Sequence, residues 1–592
     1  MLSRREMKLV AVIVANVMLL GLTTTMLFVL RCGAAQENDV HFHWDTDARP
    51  VVRTPKGTLK GLKEESVNGR PFLSFYAIPY AKPPLAELRF QGPVEEEAWT
   101  EMRDASSQPE PCTQVSFKTA KAGAVTEDDV VGSEDCLYLN VFTPQVGQGE
   151  GLPVMVFLHG GGHVGGAANQ HEPHVLLDHQ VVLVVPQFRL GTLAFLSTED
   201  DVIPGNSMLK DQVAALRWVQ RNIWIFGGDA RRVTMFGESA GGSTSSLLAL
   251  SPRARGLFSR TAWHSGSALA PFALGRFHRQ VAEETATSMG LSGNLDSRSI
   301  LSFLQTVSAK SLTLVAFKYY KWFVVPGVMK PRIDGDFIPE DPYKMVVKMA
   351  CPPWDLMSGF TAQDGGILTH PFYFREDMRT SLKENFAEIG PLSLLMSPQN
   401  DTNRLMQATT LYQYYLGEDI DIELSENYTQ FITDYTFAVP SDLMVLSHAA
   451  CREPRSNTFT FKFNYRGEHS ASDRYNVTIG KEWVTHLDDL IYLFPADALL
   501  EGADPLSSPE DLAVREIMTK LWVNFAATGN PTPDSSLGFT WDPVQRNAIK
   551  SLNLTPSPTM EADPYGKVRD FYRTVLPEHD ELLRKLERRA KC

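Results

Sequence analysis

The sequence predicts an α/β fold in a single large unit, and three observations predict it. VTMF at 233–236 reads as the end of a buried strand, and the segment from Ser243 to Leu250 reads as a helix, with G-E-S-A-G closing the gap between them. Val154 to Leu158 has a second buried-strand pattern and runs straight into His159-Gly160-Gly161-Gly162. Glycine and proline are spread along the whole chain, as many loops between short strands and helices require.

The first element depends on geometry. A chain that passes from strand to helix in one tight turn forces its apex residue into a strained conformation with the side chain pointing out of the sheet. The positions two before and two after the apex then lie so close to neighbouring backbone that a Cβ would clash. Gly237 and Gly241 occupy those positions around Ser239. The five residues alone also describe a surface Gly/Ser turn, so the assignment needs partners elsewhere in the chain.

The glycine run after the second strand is one such partner. Three glycines leave backbone N–H groups uncovered and let them converge on a developing negative oxygen. A serine hydroxyl is a poor nucleophile at neutral pH and needs a base, an acid to orient the base, and such donors. WVTHLDDLIYLF (483–494) supplies His486 as the candidate base. MSGFTAQDGGI (357–367) places Asp364 before Gly365-Gly366, after an expected strand end, as the orienting acid. The order Ser, acid, His matches the arrangement in which the serine sits on a strand-to-helix elbow.

Composition limits the alternatives. The 592 residues carry a net charge of −14, against a nucleic-acid surface, which needs clustered Lys and Arg. With 43% hydrophobic residues and no internal repeat, a large core is expected. The cysteines and histidines show no zinc-like spacing, and no phosphate-binding glycine motif stands in context, so neither a metal nor an organic cofactor is expected.

Residues 1–35 stand apart. Arg4, Arg5 and Lys8 precede an apolar run from Leu9 to Leu30, followed by Gly33, Ala34 and Ala35. A secretory signal peptide cleaved near Ala35 and an uncleaved membrane anchor spanning residues 9–30 both fit, and both place the body outside the cytosol. Asn400, Asn427, Asn476 and Asn553 head N-x-Thr glycosylation patterns. Cys112 and Cys136 could close a surface loop in an oxidising compartment. Cys351 and Cys451 could pair or stay reduced.

Segments spread from about residue 50 to 575 make the chain resemble the type-B carboxylesterases, and arthropod carboxylesterases most. They are FYAIPYAKPPLAELRF (75–90), SEDCLYLNVFTP (133–144), VVPQFRLGTLAFL (184–196), LKDQVAALRWVQRNIWIFGGD (209–229), VTMFGESAGG (233–242) and HLDDLIYLF (486–494). The resemblance implies an α/β-hydrolase fold, with a mostly parallel twisted sheet flanked by helices over residues 36–576. It implies Ser239 as nucleophile, His486 as general base and acid, Asp364 as third member, and Gly161, Gly162 and Ala240 as oxyanion-hole donors. It also implies a Cys112–Cys136 disulfide and a buried Arg89–Glu134 ion pair, and Asp211 and the FGGD segment look structural.

The chain departs from the family pattern at several points. The acid is usually Glu, one methylene longer than Asp364, so either the loop moves in or His486 is held less well. Trp483 stands where glycine is common, His163 stands where an aromatic residue often follows the glycines, and the second disulfide loop downstream of the nucleophile is missing. The first disulfide loop, 113–135, contains Phe117 but no Trp or Tyr, which argues against acetylcholine. The expected reaction is hydrolysis of a hydrophobic carboxylic ester through an acyl-enzyme. The alternative is a non-catalytic or slow-turnover binding or adhesion protein on the same fold. YYKWFVVPGVM (319–329) and LLMSPQ (394–399) could line an apolar gorge or belong to ordinary core. The tail, 577–592, reads as a charged helix with a stripe of Leu582, Leu583 and Leu586. It could dock on the body, join two subunits with Cys592 bridging them, or fray.

Overall fold

An 11-stranded sheet organises the chain. Its strands, numbered here in chain order, are β1 (Leu62–Glu65), β2 (Pro71–Pro79), β3 (Tyr138–Thr143), β4 (Leu152–Leu158), β5 (Val182–Pro186), β6 (Gly228–Glu238), β7 (Arg260–His264), β8 (Asp355–Thr361), β9 (Thr458–Phe463), β10 (Lys550–Leu554) and β11 (Thr559–Ala562). Across the sheet they run β1-β2-β3-β5-β4-β6-β7-β8-β9-β10-β11. The pairs from β5 through β10 are parallel, and both edges are antiparallel. The computed structural model describes residues 49–591 apart from 117–124, 148, 150, 350, 397–402, 451–455, 476–477, 501 and 547. The leader, Asn400, Asn476, Cys451 and Cys592 lie outside the described residues.

Continuous apolar runs build the central strands because both faces are covered. Along β4, Val154, Val156 and Leu158 enter one core, while Met155 and Phe157 enter the other. Successive side chains of a strand point to opposite faces, so a parallel strand between two helical layers needs apolar residues at every position. β5 divides in the same way, Val182 and Val184 against Leu183 and Val185.

The helices begin and end where local chemistry directs. Helix α1 (Ser207–Asn222) carries Asp211, whose carboxylate pairs with buried Arg189 at 2.6 Å. Helix α2 (Ala240–Leu250) starts immediately after Ser239. Further along are α3 (Pro342–Lys348), α4 (Gly366–Phe374), α5 (Pro509–Thr528), α6 (Gly566–Val575) and α7 (Pro577–Lys591). The Ser508 hydroxyl accepts the Asp511 N–H to cap α5, Pro509 fills the first position, and Gly529 at φ 79° ends the helix.

The tail is docked. Leu582, Leu583 and Leu586 are buried in one apolar cluster with Trp354, Tyr572 and Leu576, and α7 packs on α3 and α6. Each such leucine contributes about 1.5–3 kcal/mol of burial. Cys112 and Cys136 form a disulfide. Cys351 is also disulfide-bonded. Arg89 and Glu134 pair at 2.6 Å, and Arg89 also donates to the carbonyls of Leu304 and Val307, tying the disulfide loop to a distant turn. Asn427 is exposed on a helix, whereas Asn553 lies within β10. No helix of the described residues is long and apolar enough to cross a membrane, and residues 9–30 lie outside that set.

Candidate active site

The C-terminal ends of β4, β6, β7 and β8 open on one edge of the sheet, the edge where parallel α/β sheets place their ligands. Ser239 follows β6 with φ 58° and ψ −124°, a strained conformation for any residue with a Cβ. A Cβ at Gly237 would lie 2.6 Å from the Gly241 backbone, and one at Gly241 would lie 1.9 Å from the Leu158 carbonyl. The two glycines thus allow the elbow to press against the end of β4.

The glycine run after β4 adopts φ 104° at Gly161 and 62° at Gly162. The Gly161 carbonyl accepts the Val164 and Gly165 N–H groups, which closes the turn. Among the described residues, the N–H groups of Gly161, Gly162 and Ala240 donate to no acceptor, which leaves three amides beside the elbow for a ligand oxygen. A Cβ at Gly160 would strike Glu238 and the Ser239 Cβ, so this loop and the elbow are in contact. His163 is buried, with its ring edge on Phe195. Burial, with the Lys330 charge adding to it, pushes its pKa down to about 3.

Asp364 and His486 meet across 122 residues of sequence, with His486 Nδ1 2.5 Å from Asp364 Oδ1. The other carboxylate oxygen accepts the Ser265 hydroxyl at 2.6 Å and the Thr361 N–H at 3.2 Å. The shorter side chain still reaches the imidazole, and the loop that carries it is tightly packed. A Cβ at Gly365 would lie 2.6 Å from the Thr433 nitrogen, and one at Gly366 would lie 2.6 Å from the Thr485 hydroxyl. Only glycines let the backbone after Asp364 come that close. The turn carrying His486 is held by Asp488, which accepts from Ser470, Ala471 and Thr485. Burial pushes the Asp488 pKa up to about 7. Trp483 is buried, with its indole N–H donating to Glu426 at 2.9 Å, and it shapes this turn from outside.

Two residues of this site escaped the sequence reading. Glu238, one residue before the elbow serine, puts Oε1 2.9 Å from His486 Nε2. It stood in plain view in G-E-S-A-G, but only proximity reveals that its side chain turns toward the histidine. Ser265 belongs to the H-S-G turn after β7, which carried no motif that the reading used. Burial alone would lower the His486 pKa; the Glu238 and Asp364 carboxylates reverse this and hold it well above the ordinary imidazole value. Burial raises the Glu238 carboxyl. The Ser239 hydroxyl itself has no hydrogen-bond partner among the described residues. Phe437, on a π-helical turn at Asp434–Ala438, lies 5.1 Å from the His486 ring at a 40° tilt, and a small apolar cluster of Phe360, Phe437 and Ala438 with Phe272, Ile367 and Tyr565 adjoins it. Among the described residues, no cluster of His, Cys, Asp and Glu could hold a metal ion.

Comparison with known proteins agrees with this geometry. The model of the carboxylesterase family matches residues 48–572. A juvenile hormone esterase of Tribolium castaneum is 32% identical over 514 residues, covering 83% of this chain and 86% of that protein. A carboxylic ester hydrolase of Bombus ignitus is 32% identical, covering 86% and 90%. The crystal structure of juvenile hormone esterase from Manduca sexta, with OTFP covalently attached, superposes with a TM-score of 0.75 at 27% identity over 90% of this chain and all of that one.

Proposed function

Since the chain belongs to the carboxylesterase family, we propose that Ser239, His486 and Asp364 carry out its ester hydrolysis as nucleophile, general base and orienting acid. The protein is a serine carboxylic ester hydrolase with small-molecule ester substrates. The observation that carries the residue assignment is the position of His486. It is clamped by Asp364 on one nitrogen, while the other faces the residue beside the strained serine.

In this reading His486 takes the proton of Ser239 as the oxygen attacks the ester carbonyl. The oxyanion accepts hydrogen bonds from the N–H groups of Gly161, Gly162 and Ala240, which lack other acceptors. His486 then protonates the departing alcohol, and water, activated by the same ring, releases the acid. Asp364 keeps the proton on Nδ1 throughout and stabilises the imidazolium. The aromatic and aliphatic side chains around Phe437 suit a hydrophobic acyl or alcohol group.

A fluorophosphonate label followed by peptide mapping tests the assignment. Modification at Ser239, together with turnover of a short-chain aryl ester, is the expected result. Folded protein that hydrolyses the ester yet is labelled at another residue overturns it. An extracytoplasmic location, by a cleaved leader or an anchor at residues 9–30, accords with the Cys112–Cys136 disulfide. The first residue of the mature protein distinguishes cleavage from anchoring.

A further inference from the structure

The segment 319–329, which the sequence left between gorge and core, leads to Lys330, and Lys330 is anomalous. It is only 7% exposed. It lines a cavity of about 1450 Å³ that none of Ser239, Asp364 and His486 lines. Other buried cations are matched: Arg89 with Glu134, Arg189 with Asp211. The Lys330 ammonium forms no ion pair and no side-chain hydrogen bond with any described residue. Acids also line the cavity, Glu199, Glu284, Asp341, Glu388 and Glu578, but none of them forms an ion pair with Lys330. Burial alone moves its pKa, down to about 8. The ammonium keeps only a little contact with the water of the cavity and has no counter-charge in an ion pair, which is costly.

Its surroundings indicate what would offset that cost. His278 lines the same cavity, and its Nε2 is buried without a partner while Nδ1 faces the Phe195 carbonyl at 3.3 Å. The lining also holds Leu269, Leu274, Val328, Leu395 and Leu576, and the less buried cations Arg276, Lys321, Arg332 and Arg404. One buried positive charge at the side of a long apolar wall complements a monoanion on a hydrocarbon chain. A neutral ester would leave the charge unmatched, and a hydrophilic dianion would waste the wall.

We propose that this cavity binds a long-chain carboxylic acid as its anion, with Lys330 as the counter-ion and the leucine-rich wall along the chain. The site is not lined by Ser239, Asp364 or His486 and takes the chemical class that ester hydrolysis releases. Its occupation does not depend on which serine is the nucleophile.

Calorimetric titration with dodecanoate and, separately, 1-dodecanol tests this, because neither is an ester and both survive the enzyme. Dodecanoate should bind at least about tenfold more tightly than the alcohol, the difference expected of one charge-assisted contact. Lys330→Met should erase that preference while dodecanol affinity stays the same, and Lys330→Arg should keep most of it, with melting curves confirming that each variant is folded. Equal affinity for acid and alcohol in the unmodified protein overturns the proposal, as does a preference that survives in Lys330→Met. A crystal of the unmodified protein soaked with bromine-labelled dodecanoate gives a test free of any variant. The carboxylate must lie against Lys330, and density for the ligand elsewhere alone refutes the site.

Discussion

Two buried histidine–aspartate pairs sit within one active-site edge, and they do different things. His486 Nδ1 meets Asp364 at 2.5 Å, and its Nε2 faces Glu238 beside the elbow. His264 Nδ1 meets Asp489 at 2.6 Å, but its Nε2 accepts the Trp522 indole N–H at 2.8 Å. Residue types, distances and burial are nearly the same. What differs is the second nitrogen. In His264 it is spent on a helix α5 side chain, which locks β7 to that helix. In His486 it faces the Glu238 carboxylate, on the residue that precedes the elbow serine. A histidine beside an aspartate therefore indicates chemistry only when its other nitrogen has no structural duty.

The sharpest way to break this contrast is to remove the hydroxyl. Ser239→Ala should lower ester turnover by about 10⁴-fold or more with an unchanged melting temperature. Substantial residual hydrolysis would locate the nucleophile elsewhere. Next comes the same substitution in each pair. Asp364→Asn should reduce kcat by about 10⁴-fold, through the wrong imidazole tautomer, while stability changes little. Asp489→Asn should leave kcat within about tenfold and instead cost about 1–3 kcal/mol in denaturant unfolding. If both variants lose activity equally while remaining folded, the two pairs are not distinct.

Trp522→Phe should behave like Asp489→Asn but more mildly, about 1 kcal/mol, since it leaves one buried lone pair unsatisfied. The smallest expected effect is on pH dependence. His486 must be unprotonated to accept the serine proton, so kcat/KM rises with pH through its pKa. Glu238 and Asp364 hold that pKa above the ordinary value. Glu238→Gln removes one of the two negative charges, so the acid limb of the profile should move to lower pH. A limb that stays in place would mean that the Glu238 charge is not felt at the imidazole.

Much of this was legible without a fold. Gly237 and Gly241 implied the elbow because their spacing has a steric reason, and the contacts at their α-carbons supply it. Asp364 was found by its place between serine and histidine and by the glycines after it. The tail was readable only as a helix with a leucine stripe, because periodicity says which side is apolar but not what covers it. His264 carried no signal, since nothing local marks a histidine whose partners lie 225 and 258 residues away.

The sequence by itself determined the local conformations: strands buried on both faces, a strained serine between two obligatory glycines, two bare amides in the glycine run after β4, and a helix that begins at Ala240. These follow from short-range sterics and side-chain periodicity, which act over a few residues. Only the tertiary structure decided which histidine turns its second nitrogen toward the elbow, that Asp364 reaches the imidazole, that Glu238 turns toward the same ring, and that Lys330 is largely buried without an ion pair among the described residues. Those outcomes are set by electrostatics and packing between segments a hundred or more residues apart, and such forces act only once the chain has brought the segments together.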